Sequence, residues 1–145
     1  MAQVLFATDT TPSLVDLDAN ITELYNKTAW STTGIGYAVG AGGTVTQATS
    51  KSTAVVLNKL TGAITMNAAS LAGSTSISFQ LTNSTIVATD VVSCALKNGT
   101  GSGGAYLIQA QADAGAAVIH VRNLTGGALA EAIVISFIVH KAQTT

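Results

Sequence analysis

The sequence predicts an all-β domain, a jelly-roll-type β-sandwich of about eight antiparallel strands, preceded by a short N-terminal helical arm. Three observations support this prediction. From Tyr37 onward, short segments alternate apolar and polar residues, as half-buried strands do. Turn-forming clusters rich in glycine and asparagine separate these segments at intervals of about 8–12 residues. The single proline, Pro12, precedes this region, so no predicted strand loses a backbone donor to proline.

Four segments carry the clearest strand patterns. They are residues 76–82, with Ile77, Phe79 and Leu81 on one face; residues 92–97, with Val92, Cys94 and Leu96; residues 106–111, with Tyr106, Ile108 and Ala110; and residues 132–139. The last segment is apolar on both faces except at Ser136, which predicts a central strand covered on both sides. Weaker strand patterns fit residues 43–47, 53–58, 62–66 and 116–123.

Residues 1–33 are predicted to form the arm, and residues 34–145 the sandwich domain. Thr11 as N-cap and Pro12 at the first helical position predict a helix over residues 11–30. Its apolar residues recur at helical spacing and form one face, with acidic residues beside it. We identify this face as the candidate partner interface; it comprises Leu14, Leu17, Ile21, Leu24, Tyr25 and Trp30, with Asp16 and Asp18. The alternative is that the helix packs on its own sheet.

The composition is apolar and almost free of charge. Hydrophobic residues make up 48% of the chain, and only 9% of residues are charged, where about 25% is usual. Because the cores of protein interfaces are depleted of charge, this favours a surface covered by neighbouring proteins over that of a sparsely charged monomer. The six lysines and arginines are scattered singly and the net charge is −1, which argues against nucleic acid as a partner.

The sequence also argues against a membrane or secreted protein. No apolar segment reaches the 18 residues or so of a membrane-spanning helix, and the N-terminus lacks the basic flank and long apolar run of a signal peptide. Cys94 is the only cysteine, so no internal disulfide can form. We therefore expect folding in a cytoplasm.

Few residues could carry chemistry, and we predict no enzyme activity, no cofactor and no metal site. His120 alternates outward with Arg122, and His140 lies at the end of the last strand. Cys94 falls on an apolar face, which favours a buried structural thiol over a nucleophile. No His or Cys pair has metal-ligand spacing.

Two segments that contain glycine or lysine, and five motifs of the glycosylation type, carry no predicted function. Residues 99–104 and the segment Ser50-Lys51-Ser52 lack the context of phosphate-binding loops and are interpreted as flexible turns. Five Asn-x-Ser/Thr motifs, at Asn20, Asn26, Asn83, Asn98 and Asn123, are attributed to chance.

Parts of the sequence resemble phage structural proteins. The opening, ATDTTP at residues 7–12 and LVDLDAN at residues 14–20, resembles the start of small tailed-phage virion proteins. The stretch GGTVTQATSKST at residues 42–53, followed by GAITM at residues 62–66, resembles a module that recurs in such proteins. The likeness extends to the closing strand near Phe137. Length and two-part build are most similar to the capsid cement (decoration) proteins of short-tailed phages, including that of a Bordetella phage.

The resemblance implies a location and partners. A cement protein of this family is a jelly-roll domain on the outside of an HK97-like shell, made in the bacterial host cytoplasm. Its subunits self-associate, as homodimers or trimers, and bridge neighbouring subunits of the major capsid protein. The same module occurs in tail-associated proteins, so the alternative is a tail-fibre or head-fibre module that binds a host receptor or glycan.

Overall fold

A computed structural model describes residues 36–98 and 104–142, and this part of the chain is all-β. Its eight strands are β1 (Thr44–Thr46), β2 (Val55–Val56), β3 (Thr61–Thr65), β4 (Ser76–Thr82), β5 (Val91–Asn98), β6 (Tyr106–Asp113), β7 (Ala116–Asn123) and β8 (Val134–His140). The described residues contain no helix. The predicted helix, the arm over residues 1–33 and the boundary at residues 33 and 34 lie outside them.

All eight strands coincide with segments in which the sequence predicts a strand. The alternation that predicts them also sets their orientation. In β4, Phe79 and Leu81 are buried while Ser78 and Gln80 are exposed. In β6, Tyr106 is buried and Leu107 and Gln109 are exposed. The inward-facing side chains therefore meet between two layers, as the predicted sandwich requires.

The strands form two four-stranded sheets. We call the sheet with strand order β1-β3-β8-β5 sheet A, and the sheet with order β2-β4-β7-β6 sheet B. The core between them is built from fully buried side chains, chiefly Ile64, Met66, Leu81, Ile86, Ile119, Val121, Ile133, Ile135, Phe137 and Val139. Phe137 is the largest of these, and it lies on the central strand β8.

Strand β8 confirms one half of its prediction and corrects the other. It is central, because it pairs antiparallel with β3 on one side and with β5 on the other. It is not covered on both faces by the described residues: Ile138 remains 40% exposed, and Val134 and Ser136 are only half-buried. An apolar outward face thus remains on this strand.

The prediction of uniformly antiparallel strands is wrong at two places. β1 pairs with β3, and β2 with β4, in parallel. The physical reason is the path of the chain, which alternates between the sheets through its first four strands. No direct hairpin turn joins β1 to β3, and only such a turn forces antiparallel pairing. Both sheets are therefore mixed, and the connectivity of a purely antiparallel jelly roll is not confirmed.

The remaining neighbours pair antiparallel, and the β6–β7 hairpin is the tightest connection. Asp113 pairs with Ala116 across a two-residue loop. Gly115 in this loop has a φ of +74°, a left-handed conformation that glycine adopts without a steric penalty. A glycine-containing cluster thus separates these two strands, as the sequence predicts for the turns of this domain.

Candidate interaction surface

The predicted partner interface cannot be located on this fold. Its residues, Leu14, Leu17, Ile21, Leu24, Tyr25, Trp30, Asp16 and Asp18, all precede residue 36 and lie outside the described residues. The surfaces that the structure does describe are the outward faces of the two sheets, and these two faces differ in chemistry.

The outward face of sheet A carries hydroxyl groups and small apolar side chains. We call this surface the neutral face; it comprises Thr44, Thr46, Thr61, Ala63, Thr65, Val91, Ser93, Ala95, Val134, Ser136 and Ile138. Cross-strand pairing places Ser93 and Thr61 on either side of Ile138, and Ala63 and Ala95 on either side of Ser136. No member is charged. Lys97 and His140 lie at opposite ends of this face, outside the set.

Exposed apolar side chains extend along one end of the neutral face. Val91 is 56% and Ile138 is 40% exposed. Thr61 is held in place because its hydroxyl donates to the Phe137 carbonyl oxygen at 3.0 Å. Such a surface can dock on another protein without removing charges from water, which is the costly step in covering a polar face.

The outward face of sheet B is more polar and carries basic groups. Ser78 pairs with His120, and Ser76 pairs with Arg122, in register across β4 and β7. Both His120 and Arg122 are exposed, which confirms their predicted outward orientation. A shallow hollow of about 200 Å³ lies here, lined by Ser76, Leu107, Gln109, His120, Val121 and Arg122.

Cys94 lies on the core side of β5, as predicted. It packs with the other partly buried side chains against the core. Burial raises the pKa of the Cys94 thiol to about 11. The thiolate is the reactive form of cysteine, so the thiol is unreactive at neutral pH.

Two of the Asn-x-Thr motifs have a structural role, which corrects their attribution to chance. Asn83 and Asn123 are completely buried; Asn83 directly follows β4, and Asn123 is the last residue of β7. The Asn123 Oδ1 accepts from the backbone N–H of Thr125 at 2.9 Å and from its hydroxyl at 2.8 Å. The Asn83 Oδ1 makes the same pair of bonds with Thr85, at 3.0 and 2.8 Å. In these two motifs the asparagine caps a turn and is inaccessible to glycosylation.

Lys51 is a buried anchor and not part of a flexible turn. It is 4% exposed. Its Nζ donates to the carbonyl oxygens of Asn67 and Glu131, each at 2.7 Å. Gln47, also buried, donates to the carbonyl oxygens of Lys51 and Thr53 at 3.0 and 2.9 Å. These bonds tie the β1–β2 connection to two other loops. Of the glycine-rich segment 99–104, only Gly104 is described.

An ion pair fixes the end of β8 to the loop before β5. The Asp90 side chain is buried, and its Oδ2 atom lies 2.7 Å from the Lys141 Nζ. The same oxygen accepts a hydrogen bond from the Val87 N–H at 2.8 Å. The hydrogen bond from Lys141, followed by that from Val87, lowers the pKa of Asp90 below its ordinary value of 3.8.

Asp90→Asn is expected to lower the melting temperature at pH 7, because it removes the charge that Lys141 and Val87 stabilise. The folded-state pKa of Asp90 is depressed, so its contribution is present above the ordinary pKa of 3.8 and is lost as the pH falls through the folded-state pKa. Thermal melts from pH 7 to pH 2 should show the gap between wild type and variant closing. Asp113→Asn, at an exposed hairpin position, is the matched control. A gap that stays constant down to pH 2 would contradict the assignment.

The part of the chain that the structure describes has neither a metal-binding cluster nor a membrane-spanning helix. In residues 36–98 and 104–142, no three His, Cys, Asp or Glu side chains come together as a metal-binding group. Within the same ranges, no helix has the length and apolar character needed to span a membrane.

Comparisons with known proteins identify no relative of this chain. No protein-family model, no curated protein and no solved structure matches it.

Proposed function

We propose that this protein is a virion structural protein, a capsid cement or decoration protein. In this proposal it binds the outer surface of an assembled icosahedral phage shell and stabilises the shell by bridging subunits of the major capsid protein. The observation that carries the proposal is the neutral face: ten exposed or half-buried outward positions of sheet A, and the buried Ala63 among them, are occupied by Thr, Ser, Ala, Val and Ile, and the charged Lys97 lies only at its end. Protein interfaces have this composition at their centres.

Two features of the sequence support the same function. Only 9% of the residues are charged, whereas the surface of a soluble monomer usually carries more charge. The segments at residues 7–20, 42–53 and 62–66 resemble phage virion proteins, as described above. The arm over residues 1–33, with its predicted apolar helix face, would then reach a second capsid subunit while the sandwich domain sits on the first.

Shell stabilisation follows from binding that requires the assembled state. A protein that binds two adjacent capsid subunits, and neither subunit alone, shifts the assembly equilibrium toward the shell by mass action. Contacts that are weak individually add up when many copies bind a repeating lattice. Since the neutral face has no charges to be screened, its binding should depend only weakly on salt.

The proposal needs a rigid two-sheet domain and does not depend on jelly-roll connectivity. The neutral face is presented by four paired strands over a closed core, which holds its side chains in fixed positions. A preorganised surface loses little conformational entropy on docking.

The first test is the copy number of the protein relative to the major shell protein in purified particles, measured by quantitative mass spectrometry. A ratio near one is expected for a protein that coats the head. Particles lacking the protein should also release their DNA at a lower temperature than complete particles. Shells that are equally heat-stable without the protein would contradict the proposal.

A matched pair of variants tests the neutral face itself. Ser93→Glu places a charge on the neutral face beside Ile138, whereas Ser78→Glu makes the same change on an exposed strand position of sheet B. Ser93→Glu is expected to weaken binding to purified shells at least tenfold, because the carboxylate must be desolvated. Ser78→Glu should bind like the wild type. Equal effects of the two substitutions would contradict docking through sheet A.

The alternative function is a tail-fibre or head-fibre module that binds a host receptor or glycan. The hollow on sheet B favours it, since Gln109, His120 and Arg122 provide hydrogen-bond donors around a shallow depression. Aromatic platforms, which many sugar sites use, are missing from the hollow's lining. A copy number many-fold below that of the shell protein, with binding of the purified protein to host cells, would favour this alternative.

A further inference from the structure

Strand β6 is an edge strand of sheet B: β7 is its only hydrogen-bonded neighbour among the described strands, and β5 of sheet A lies near it without pairing. The Leu124 N–H donates to the Ala105 carbonyl at 2.8 Å, whereas the Asn123 N–H donates to Thr75, on the β4 side. Because antiparallel bonding alternates along a strand, residues 107, 109, 111 and 113 bond to β7, and residues 106, 108, 110 and 112 direct their N–H and C=O groups away from it. In the described part of the chain, none of these outward backbone groups has a hydrogen-bond partner.

The other three edge strands carry features that hinder pairing, and β6 does not. β1 has three residues and β2 has two. β5 is long, but it has a register shift between Leu96 and Asn98 and carries Lys97 there. Short length, bulges and lysine are the means by which proteins protect sheet edges. β6 is eight residues long, with no proline, no lysine and no charge before its last residue, Asp113. A strand of this kind is a template for another strand.

We propose that β6 pairs antiparallel with β6 of a second copy of this chain across a two-fold axis at Gln109. The pairing would join two copies of sheet B into one continuous eight-stranded sheet. This pairing would be the contact through which the protein self-associates, as the proposed function requires. Only the role of the dimer in the virion rests on that proposed function. The pairing itself needs no capsid.

The register follows from the positions of the free backbone groups. Centring the axis on Gln109 places Ile108 opposite the partner's Ala110, and Tyr106 opposite the partner's Ala112. All four outward-facing residues of each copy then form hydrogen-bonded pairs. A shift of the axis by one residue, to Ile108 or Ala110, would leave the free groups at one end of each strand without a strand residue opposite.

The side chains are compatible with this register. On the outward face, Gln109 lies opposite the partner's Gln109, and the two amides can donate to and accept from each other. Leu107 lies opposite the partner's Gln111. No charged pair arises along residues 106–112, because this segment has no charged residue. The contact is isologous, as two-fold symmetric dimers require.

The test uses the full chain with Cys94→Ala, so that the only cysteine is an introduced one. Gln109→Cys should form a disulfide-linked dimer under mild oxidation, because residues opposite each other at a non-hydrogen-bonded position have Cα atoms about 4.5 Å apart. Gln111→Cys is the matched control: same residue type, same strand and same face. Its Cα atoms would be about 14 Å apart, too far for a disulfide. Cross-linking at residue 111 as efficient as at residue 109, or at neither position, would overturn the pairing.

A second pair of variants keeps Cys94 and reads the same contact in solution. Gln109→Lys places two like charges opposite each other and should raise the dimer dissociation constant about fivefold, whereas Gln111→Lys, opposite the partner's Leu107, should raise it less. Mixing Gln109→Lys with Gln109→Glu should restore the dimer. A wild type that is monomeric by sedimentation at all concentrations would overturn the proposal and indicate that other residues, or another protein, cover this edge. Shell binding would stand in that case.

Discussion

Replacing Asn123 with alanine is expected to lower the free energy of unfolding by about 3–4 kcal/mol. Its side chain is completely buried. The Nδ2 group donates to the carbonyl oxygens of Leu71, Ala72 and Gly127 at 3.1, 3.2 and 2.8 Å. With the two bonds that Oδ1 accepts from Thr125, the residue joins the segment before β4 to the turn after β7. Alanine would remove all five bonds. The three carbonyl oxygens would each keep one other donor, but the Thr125 N–H would lose its partner.

The neighbouring glycine shows how closely these two segments pack. A Cβ atom on Gly73 would lie 2.3 Å from the Gly126 carbonyl oxygen, so no side chain fits without a backbone shift. The Asn123 side chain therefore holds together two segments whose backbones are in direct contact at Gly73 and Gly126. Five hydrogen bonds are lost together with a completely buried side chain, which is why we expect the loss to exceed that of a single hydrogen bond.

Asn83→Ala is the matched comparison for this prediction. Asn83 occupies the same motif but donates to one carbonyl, that of Lys59 at 2.7 Å, in addition to the two bonds from Thr85. We expect a loss of about 2 kcal/mol, smaller than that for Asn123. Gln111→Ala, at an exposed strand position, should change stability by less than about 0.5 kcal/mol. Urea denaturation of the three variants measures this order, and a larger loss at Asn83 than at Asn123 would contradict it.

The existence of the strands could be predicted from the sequence because their periodicity is set by burial. Ile77, Phe79 and Leu81 alternate with polar residues because one face of β4 meets the core and the other meets water. Even short strands were located in this way. β1 lies within the segment predicted at residues 43–47, and β3 begins one residue before the segment predicted at residues 62–66. Local alternation therefore contains most of the information on where strands lie.

Pairing direction and coverage depend on the rest of the fold, and the sequence did not reveal them. The parallel pairing of β1 with β3 depends on the chain crossing to sheet B in between. The exposure of Ile138 likewise depends on what lies over sheet A. An apolar residue on the outer face of a central strand has the same local pattern whether a second layer of the same chain or another protein covers it.

The candidate surface was only partly predictable for a related reason. The outward orientation of His120 and Arg122 follows from alternation in β7 and was predicted. The neutral face involves residues from four strands, and it becomes visible only when the strand order is known. Lysine is usually exposed, so nothing in the segment Ser50-Lys51-Ser52 signals a buried anchor. The repeated Asn-x-Thr motif at strand ends was a usable signal for the two turn caps, since asparagine and threonine favour such turns.

Lys51→Met is expected to lower the free energy of unfolding by about 2–4 kcal/mol, because it leaves two half-buried carbonyl oxygens, those of Asn67 and Glu131, without their donor. Lys59→Met is the matched control: the Lys59 Nζ makes one exposed bond, to the Gly40 carbonyl at 3.1 Å, and its loss should cost less than about 1 kcal/mol. Urea denaturation at pH 7 measures both losses, and equal values would contradict the anchoring role of Lys51.

The pH dependence of the same variant distinguishes a buried amine from an ordinary surface lysine. Burial lowers the pKa of Lys51 below its ordinary value of 10.5, and Glu131 opposes this only in part. The folded protein therefore releases the Lys51 proton at a lower pH than the unfolded chain does. Between the two pKa values the unfolded state binds more protons, so wild-type stability gains from Lys51 as the pH rises through this window and the gain is complete above 10.5. Lys51→Met lacks this gain, and the difference in stability between wild type and variant should widen from pH 7 toward pH 10.5. A difference that narrows over this range would show that the folded protein holds the Lys51 proton more tightly than the unfolded chain, and that the ammonium is stabilised at its site.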